Sequence, residues 1–275
     1  TLGGAIKVNL KKAEVDTGAT LGGDLALSYN DINDASTFAG DLNISNENTG
    51  VLLYLTDQQG DDYQDGDGNT ISSTQYNKQQ YGADLRHQQD DWEIGLTWHH
   101  AETDDSGTPA LPMDIDYIES DRYSLDGKLQ LSDWQLSWQL GYQDAVHGMD
   151  SFSQRVSMDT SMYRYNTTDA KTRNYKFLLS QGNWLFGLEG YDSDHNADIS
   201  NPENAMFSIA NFNQVKNQRN SAFVEWTPSS GKFSHTLGLR LKDNRADAGE
   251  VSSSMAMMNP NIKALRDEFN DADRD

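Results

Sequence analysis

Apolar and polar side chains alternate along most of this chain, and that period of two constrains the fold more than any other feature. Trp134, Leu136, Trp138, Leu140 and Tyr142 fall on one face, with Gln135, Ser137, Gln139, Gly141 and Gln143 on the other. Trp92, Ile94, Leu96 and Trp98 oppose Glu93, Gly95, Thr97 and His99 in the same way. Phe233, Leu237, Leu239 and Leu241 oppose Ser234, Thr236, Arg240 and Lys242, with His235 the polar exception on the apolar row. Near the start, Leu21, Leu25, Leu27 and Tyr29 oppose Asp24, Ala26 and Ser28, and Phe38, Leu42 and Ile44 oppose Asp41, Asn43 and Ser45. Only an extended strand sends successive side chains to opposite faces, so these are half-apolar strands and not helices.

Read between turn signals, the alternation predicts eleven strands near 19–30, 35–46, 50–58, 76–87, 91–102, 120–132, 133–145, 171–181, 183–193, 216–227 and 231–243. Short turns fall at 46–49, 88–91, 132–133, 181–182 and 228–231. Long polar connections fall at about 58–75, 103–119, 146–170 and 194–215, with another from about 244. Strict alternation of short and long connections is the mark of a transmembrane β-barrel, with tight periplasmic turns and long extracellular loops. Trp92, Trp134, Trp184 and Trp226 each lie within two residues of a predicted tight turn. An amphipathic indole prefers headgroup depth, so a barrel collects such rings at its rim. A secreted antiparallel sandwich, with a binding or adhesive role, is the competing architecture, since it alternates too. It gives no reason for tryptophans along one edge or for an opposite face this rich in charges and amides.

Composition acts as a filter. No stretch approaches the roughly 20 apolar residues of a transmembrane helix. A mean hydropathy of -0.76 does not count against a barrel, because only alternate residues of a spanning strand meet lipid. A formal charge of -22 argues against a nucleic-acid partner, which needs a basic face. The absence of cysteine excludes a disulfide framework and thiolate metal sites within this sequence. There is no Gly-x-Ser-x-Gly, His-Glu-x-x-His or phosphate loop, so no enzymatic function is expected.

The segment Leu2-Gly3-Gly4-Ala5-Ile6-Lys7-Val8-Asn9-Leu10-Lys11-Lys12 resembles the final plug strand of TonB-dependent receptors. Within the barrel, Asp61-Asp62-Tyr63-Gln64-Asp65-Gly66-Asp67-Gly68 is similar to the second extracellular loop of the TonB-dependent copper receptors. Met113-Asp114 with Ser120-Asp121-Arg122-Tyr123-Ser124-Leu125 resembles the approach to their sixth strand. Val146-His147-Gly148-Met149-Asp150-Ser151-Phe152-Ser153 resembles the loop bearing their His-x-Met copper motif. The likeness covers most of residues 1–170 and thins beyond. It implies an all-β chain: residues 1–15 as the end of a plug, and 16–275 as the first half of a transmembrane antiparallel barrel of about 22 strands. It implies the bacterial outer membrane and import of copper ions or a copper complex. Outer-membrane lipid and, through an upstream plug, the TonB complex would be partners. Copper would be transported cargo, with no permanently bound cofactor. In that family a cysteine and a methionine of the plug complete the site, so only His147 and Met149 carry over.

The residues themselves suit that chemistry. Imidazole serves either oxidation state of copper, whereas a thioether favours Cu(I). In extended backbone His147 and Met149 point the same way. A His-x-Met pair also arises by chance, and what raises this one is the loop around it. All eight methionines, Met113, Met149, Met158, Met162, Met206, Met255, Met257 and Met258, fall in predicted extracellular loops and none in a strand. Loops tolerate methionine, so those outside the pair are auxiliary metal candidates only. His99, His100 and Glu102 form a possible divalent site, or more simply a solvated rim. Asp61, Asp62, Asp65 and Asp67 resemble a calcium loop, but Tyr76 stands where its bidentate Glu is needed, which favours an ordinary turn. A receptor for a siderophore or other chelate is the alternative within the same architecture, with Tyr163, Arg164 and Tyr165 as its gripping residues.

Overall fold

A computed structural model describes residues 10–155, 159–230 and 232–272. Its frame is one antiparallel sheet in chain order: β1 (Thr20–Asn30), β2 (Ala35–Ser45), β3 (Thr49–Gly60), β4 (Tyr76–Gln89), β5 (Trp92–Ser106), β6 (Asp114–Leu131), β7 (Trp134–Asp150), β8 (Tyr165–Gln181), β9 (Trp184–Ser200) and β10 (Ser208–Trp226). Two short strands, β11 (Ser229–Ser230) and β12 (Phe233–Ser234), form a small hairpin. β13 (Leu237–Asp247) then returns along β10, β14 (Ser252–Ser253) pairs with the other end of β10, and helix α1 (Pro260–Asp271) follows. This up-and-down meander is a partial transmembrane β-barrel. Among the described residues the long strands touch only their sequential neighbours, so the competing two-sheet sandwich is not what the chain forms.

All eleven predicted strands are present, but most are longer at one end. β5 reaches Ser106, β6 starts at Asp114, β7 reaches Asp150, β8 starts at Tyr165 and β10 starts at Ser208. The long connections shrink accordingly to 107–113, 151–164 and 201–207. The backbone ladder of a hairpin keeps pairing where neither face must be apolar and the sequence alternation disappears. The first outer turn, Asp31–Asp34, breaks the expected rule of long connections at that end. There the Ile32 amide donates to Asn30 Oδ1 at 3.0 Å and Asp34 takes a left-handed φ of 47°. The last long strand is displaced to Leu237–Asp247, because the β11–β12 hairpin consumes the intervening residues and pairing resumes with Leu237 opposite Trp226.

Register joins the apolar residues into continuous rows. Leu21, Ile44, Val51, Leu85, Leu96, Leu125, Leu140 and Tyr175 stand directly cross-strand from β1 to β8. Large residues are accommodated by glycine opposite: the Trp138 ring covers Gly127 and the Tyr175 ring covers Gly190, where a Cβ would lie 2.3 Å and 2.2 Å from ring carbons. At the tight turns Trp184 stacks on its cross-strand partner Trp226 at 5.8 Å, and Phe186 lies 6.1 Å from both Trp184 and Trp134.

The edges of the apolar band drift across the sheet. One straight cross-strand line on this face runs Leu55, Tyr81, His100, Asp121, Asp144, Lys171, Asp194, passing from apolar to charged. On β13 the apolar positions lie nearer the tight-turn end, at Leu237, Leu239 and Leu241. Strands tilted against a barrel axis produce this drift, since a line perpendicular to tilted strands climbs along that axis.

Candidate metal site on the lumenal wall

The opposite face is identified as the interior by what lies on it. Residues 10–16 cross it with irregular backbone and are pinned along their length. The Ala13 amide donates to Asp84 Oδ1 at 2.8 Å, and the Glu14 amide donates to Asn43 Oδ1 at 3.0 Å. Lys11 Nζ reaches Asp41 at 2.7 Å and Lys12 Nζ reaches Asp126 at 3.1 Å. Gly50 lies under the crossing, where a Cβ would stand 2.1 Å from the Glu14 carbonyl oxygen. Asp84 is fully buried and also accepts from Arg86 Nε at 2.9 Å and Thr97 Oγ1 at 2.6 Å. Arg86 in turn holds Asp126 through both terminal nitrogens at 2.9 Å and Glu93 at 3.2 Å. Of the expected plug strand only Leu10–Lys12 lie within the described residues, and these are not a strand; the remainder falls outside them.

Higher on the same wall, β7 carries His147 and Met149. Both share the parity of Gln139, Gly141, Gln143 and Ala145, whose cross-strand partners include the inward-facing Asp126 and Arg122. The methionine expected in a loop therefore sits in a strand, because β7 continues through it. His147 stands opposite Ile118 on β6 and Thr168 on β8, and Met149 stands opposite Ile115 and Asn166. Residues two apart on a strand are separated by roughly 7 Å, and cross-strand Cα atoms by about 5 Å. His147, Met149, Asn166 and Thr168 thus form one compact patch.

A β-bulge shapes its surroundings. Pairing of β6 with β7 shifts between Tyr117, opposite Gly148, and Ile115, opposite Met149, leaving Asp116 as the extra residue. An unbroken register would set Asp116 beside Met149. Instead Asp116 accepts a bond from Tyr165 OH at 2.7 Å, and apolar Ile115 takes the place next to the thioether. Bulges beside functional sites commonly re-aim one side chain in this manner. Nothing in the alternation pattern announces this one. His147 is half-buried above the apolar band, and burial holds its pKa below the ordinary imidazole value. The neutral ring, with a free lone pair, is therefore the form present at neutral pH.

The other candidates lie elsewhere. Met113 is half-buried immediately before β6, and its carbonyl accepts from the Thr108 hydroxyl. Met162, Met206, Met257 and Met258 are well exposed and Met255 is partly so, while Met158 lies outside the described residues. The turns bearing several of these are stitched together. Asn201 Nδ2 donates to the carbonyls of Thr160 and Ser161 at 2.9 Å and 3.2 Å, and the Ser208 amide donates to Ser254 Oγ at 3.0 Å. His99 and His100 point to opposite faces, as consecutive strand residues must, and do not share an ion. His99 Nδ1 lies 2.9 Å from Tyr54 OH, while His100 Nδ1 lies 3.1 Å from Asp121. The acidic loop is a turn: Asp65 accepts from the amides of Asp67 and Asn69 at 2.9 Å, and Asp62 accepts from those of Thr74 and Gln75. Tyr163 stacks on Phe152 at 4.6 Å, the Arg164 guanidinium covers Phe207 at 4.1 Å, and Tyr165 holds Asp116. Among the described residues no three His, Asp or Glu side chains converge as for a hard-metal site.

Sequence reasoning missed the knot that ties three outer loops. Asp114, 1% exposed, accepts from Arg155 Nε at 2.6 Å and Nη2 at 2.8 Å, from the Thr108 amide at 2.8 Å, and from Ser73 Oγ at 3.1 Å. Burial alone would raise its carboxyl, but these bonds outweigh burial and hold its pKa below the usual range.

No protein-family model matches the chain, and no curated protein matches its sequence. Among solved structures the chain is similar to the copper transporter OprC, with a TM-score of 0.74 and 18% identity. The superposition covers 86% of this chain and 40% of that one. At that identity the likeness carries the barrel fold and leaves the chemistry of the site to the residues present here.

Proposed function

We propose that the chain is the first half of the barrel of a TonB-dependent outer-membrane receptor that imports copper or a copper complex. One observation carries the copper assignment. The imidazole of His147 and the thioether of Met149 share one patch of the inner wall, beside a bulge that turns the nearest carboxylate away. A neutral nitrogen and a soft sulfur without a neighbouring acid select copper over hard divalent cations. The likeness to a copper transporter's fold supports the same reading. In this reading the apolar rows meet outer-membrane lipid, and an upstream plug continues from the segment pinned at Asp84 and is worked by the TonB complex. Residues 1–15 would then be the end of that plug. The exposed methionines would offer weak, exchangeable contacts to an arriving ion.

The chelate-receptor alternative is less well supported, because Tyr163, Arg164 and Tyr165 are all engaged in packing the loops. Copper uptake by copper-starved bacteria carrying the full-length protein tests the proposal. Substituting His147→Ala should reduce uptake at limiting copper by about tenfold or more. Unchanged uptake would exclude His147 as a ligand and favour a chelate as substrate.

A further inference from the structure

We infer that Asn166 is a third contact of the His147–Met149 patch, one that serves the oxidised form of the ion; this rests on reading that pair as a copper site. Asn166 stands directly opposite Met149 on the same face. Its Nδ2 is turned toward Thr168 Oγ1, 3.5 Å away, and Thr168 is the residue opposite His147. Its Oδ1 is buried and, among the described residues, has no hydrogen-bond partner. Buried amide oxygens are seldom left without a donor, and such a vacancy in a native structure commonly marks a functional contact. Ile115 lies across Met149 and Ile199 lies across Asn166, both apolar and unable to supply one, and Thr168 Oγ1 faces the amide nitrogen instead. The bulge has already removed Asp116 from this face. Two side-chain oxygens thus stand opposite the soft pair, Thr168 Oγ1, which faces the Asn166 amide nitrogen, and Asn166 Oδ1, which has no partner among the described residues.

The consequence follows from donor chemistry. Cu(I) is satisfied by imidazole and thioether and gains little from an amide oxygen, whereas Cu(II) takes nitrogen and oxygen donors. The patch therefore holds both oxidation states, with Met149 serving the reduced ion and Asn166 the oxidised one. Removing the oxygen should weaken Cu(II) alone.

The test uses the full-length protein purified in detergent, titrated with buffered Cu(II) in air and with Cu(I) anaerobically against a competing chelator. Asn166→Leu, close in shape and without the carbonyl, should lower Cu(II) affinity by about tenfold and leave Cu(I) within about twofold. Asn166→Asp should restore Cu(II) binding, and the paramagnetic resonance spectrum of bound Cu(II) should change in both variants relative to the parent. Equal losses for both ions would mean that Asn166 acts only through packing, and no loss would mean that it takes no part; either overturns the inference. His147→Ala serves as the separate control. If it weakens both ions while Asn166→Leu weakens neither, the copper reading stands and this inference alone falls. If His147→Ala weakens neither ion, the copper reading fails and this inference goes with it.

Discussion

Two polar regions of the same inner wall are built in opposite ways. At Asp84 the donors and acceptors are saturated: one buried carboxylate receives the Ala13 amide, Arg86 and Thr97, and Arg86 is shared onward with Asp126 and Glu93. At His147 and Met149 the wall is sparing, with isoleucines alongside and an amide oxygen without a donor. A saturated cluster fixes a protein segment permanently, because every bond it makes is already satisfied in the resting state. An unsatisfied patch leaves bonding capacity for something that comes and goes. On the proposed reading, position along the wall separates a structural anchor from a site for exchangeable cargo, although both are polar groups on inward-facing positions.

The contrast can be broken most forcefully at the anchor. Asp84→Ala leaves Arg86 buried with fewer partners and releases Ala13, and removing one member of a buried charge pair costs about 3–5 kcal/mol. The midpoint of denaturant unfolding, followed by tryptophan fluorescence, should fall accordingly, with copper affinity in the surviving folded protein little changed. Next in size is the comparison of faces. Leu140→Arg places a charge in the apolar row and should cost about 2–4 kcal/mol near the bilayer centre, while Gln139→Arg on the inner face should be close to neutral. Equal costs would remove the distinction between outer and inner wall.

The smallest effect concerns pH. Because burial lowers the pKa of His147, its neutral form persists to lower pH than for a free imidazole, whose value is about 6.5. Copper affinity should be flat from neutrality down past that value and decline only as pH falls through the lowered pKa. Stability moves with the same sign, falling as pH drops from the free imidazole value toward the lowered one, because the unfolded chain takes up the proton first. A midpoint above the free value would contradict the partly buried position of the ring.

How much of this was readable in the sequence depends on where one face of the sheet is apolar and the other polar. Where both faces are constrained, as from Trp134 to Tyr142, alternation located the strand and its orientation. Past Tyr142 the requirement for apolar residues lapses, and β7 continues to Asp150 with only backbone pairing to sustain it. The patch was half legible. His147 and Met149 stood out by type and spacing, whereas Asn166 and the bulge at Asp116 depend on which residues face each other across strands. The link from Ala13 to Asp84 joins positions far apart in the chain and has no local signature. One miss was avoidable. Asn259 followed by Pro260 is a plain helix start, and Asn259 indeed caps α1 by accepting the Asn261 amide at 3.0 Å, in a region expected to be polar loop.

The face assignment underlies all of this, and a cysteine scan of β7 addresses it directly, with these 275 residues contributing no cysteine of their own and any cysteine elsewhere in the full-length protein replaced by serine. Spin labels placed singly from Gln135 to Met149 in the full-length protein, reconstituted in lipid, would be read for contact with oxygen dissolved in lipid and with a water-soluble relaxation agent. Odd positions, His147 and Met149 among them, should report the aqueous interior, and even positions up to Tyr142 should report lipid. An opposite phase, or no period of two, would contradict the placement of His147 and Met149 on the interior wall.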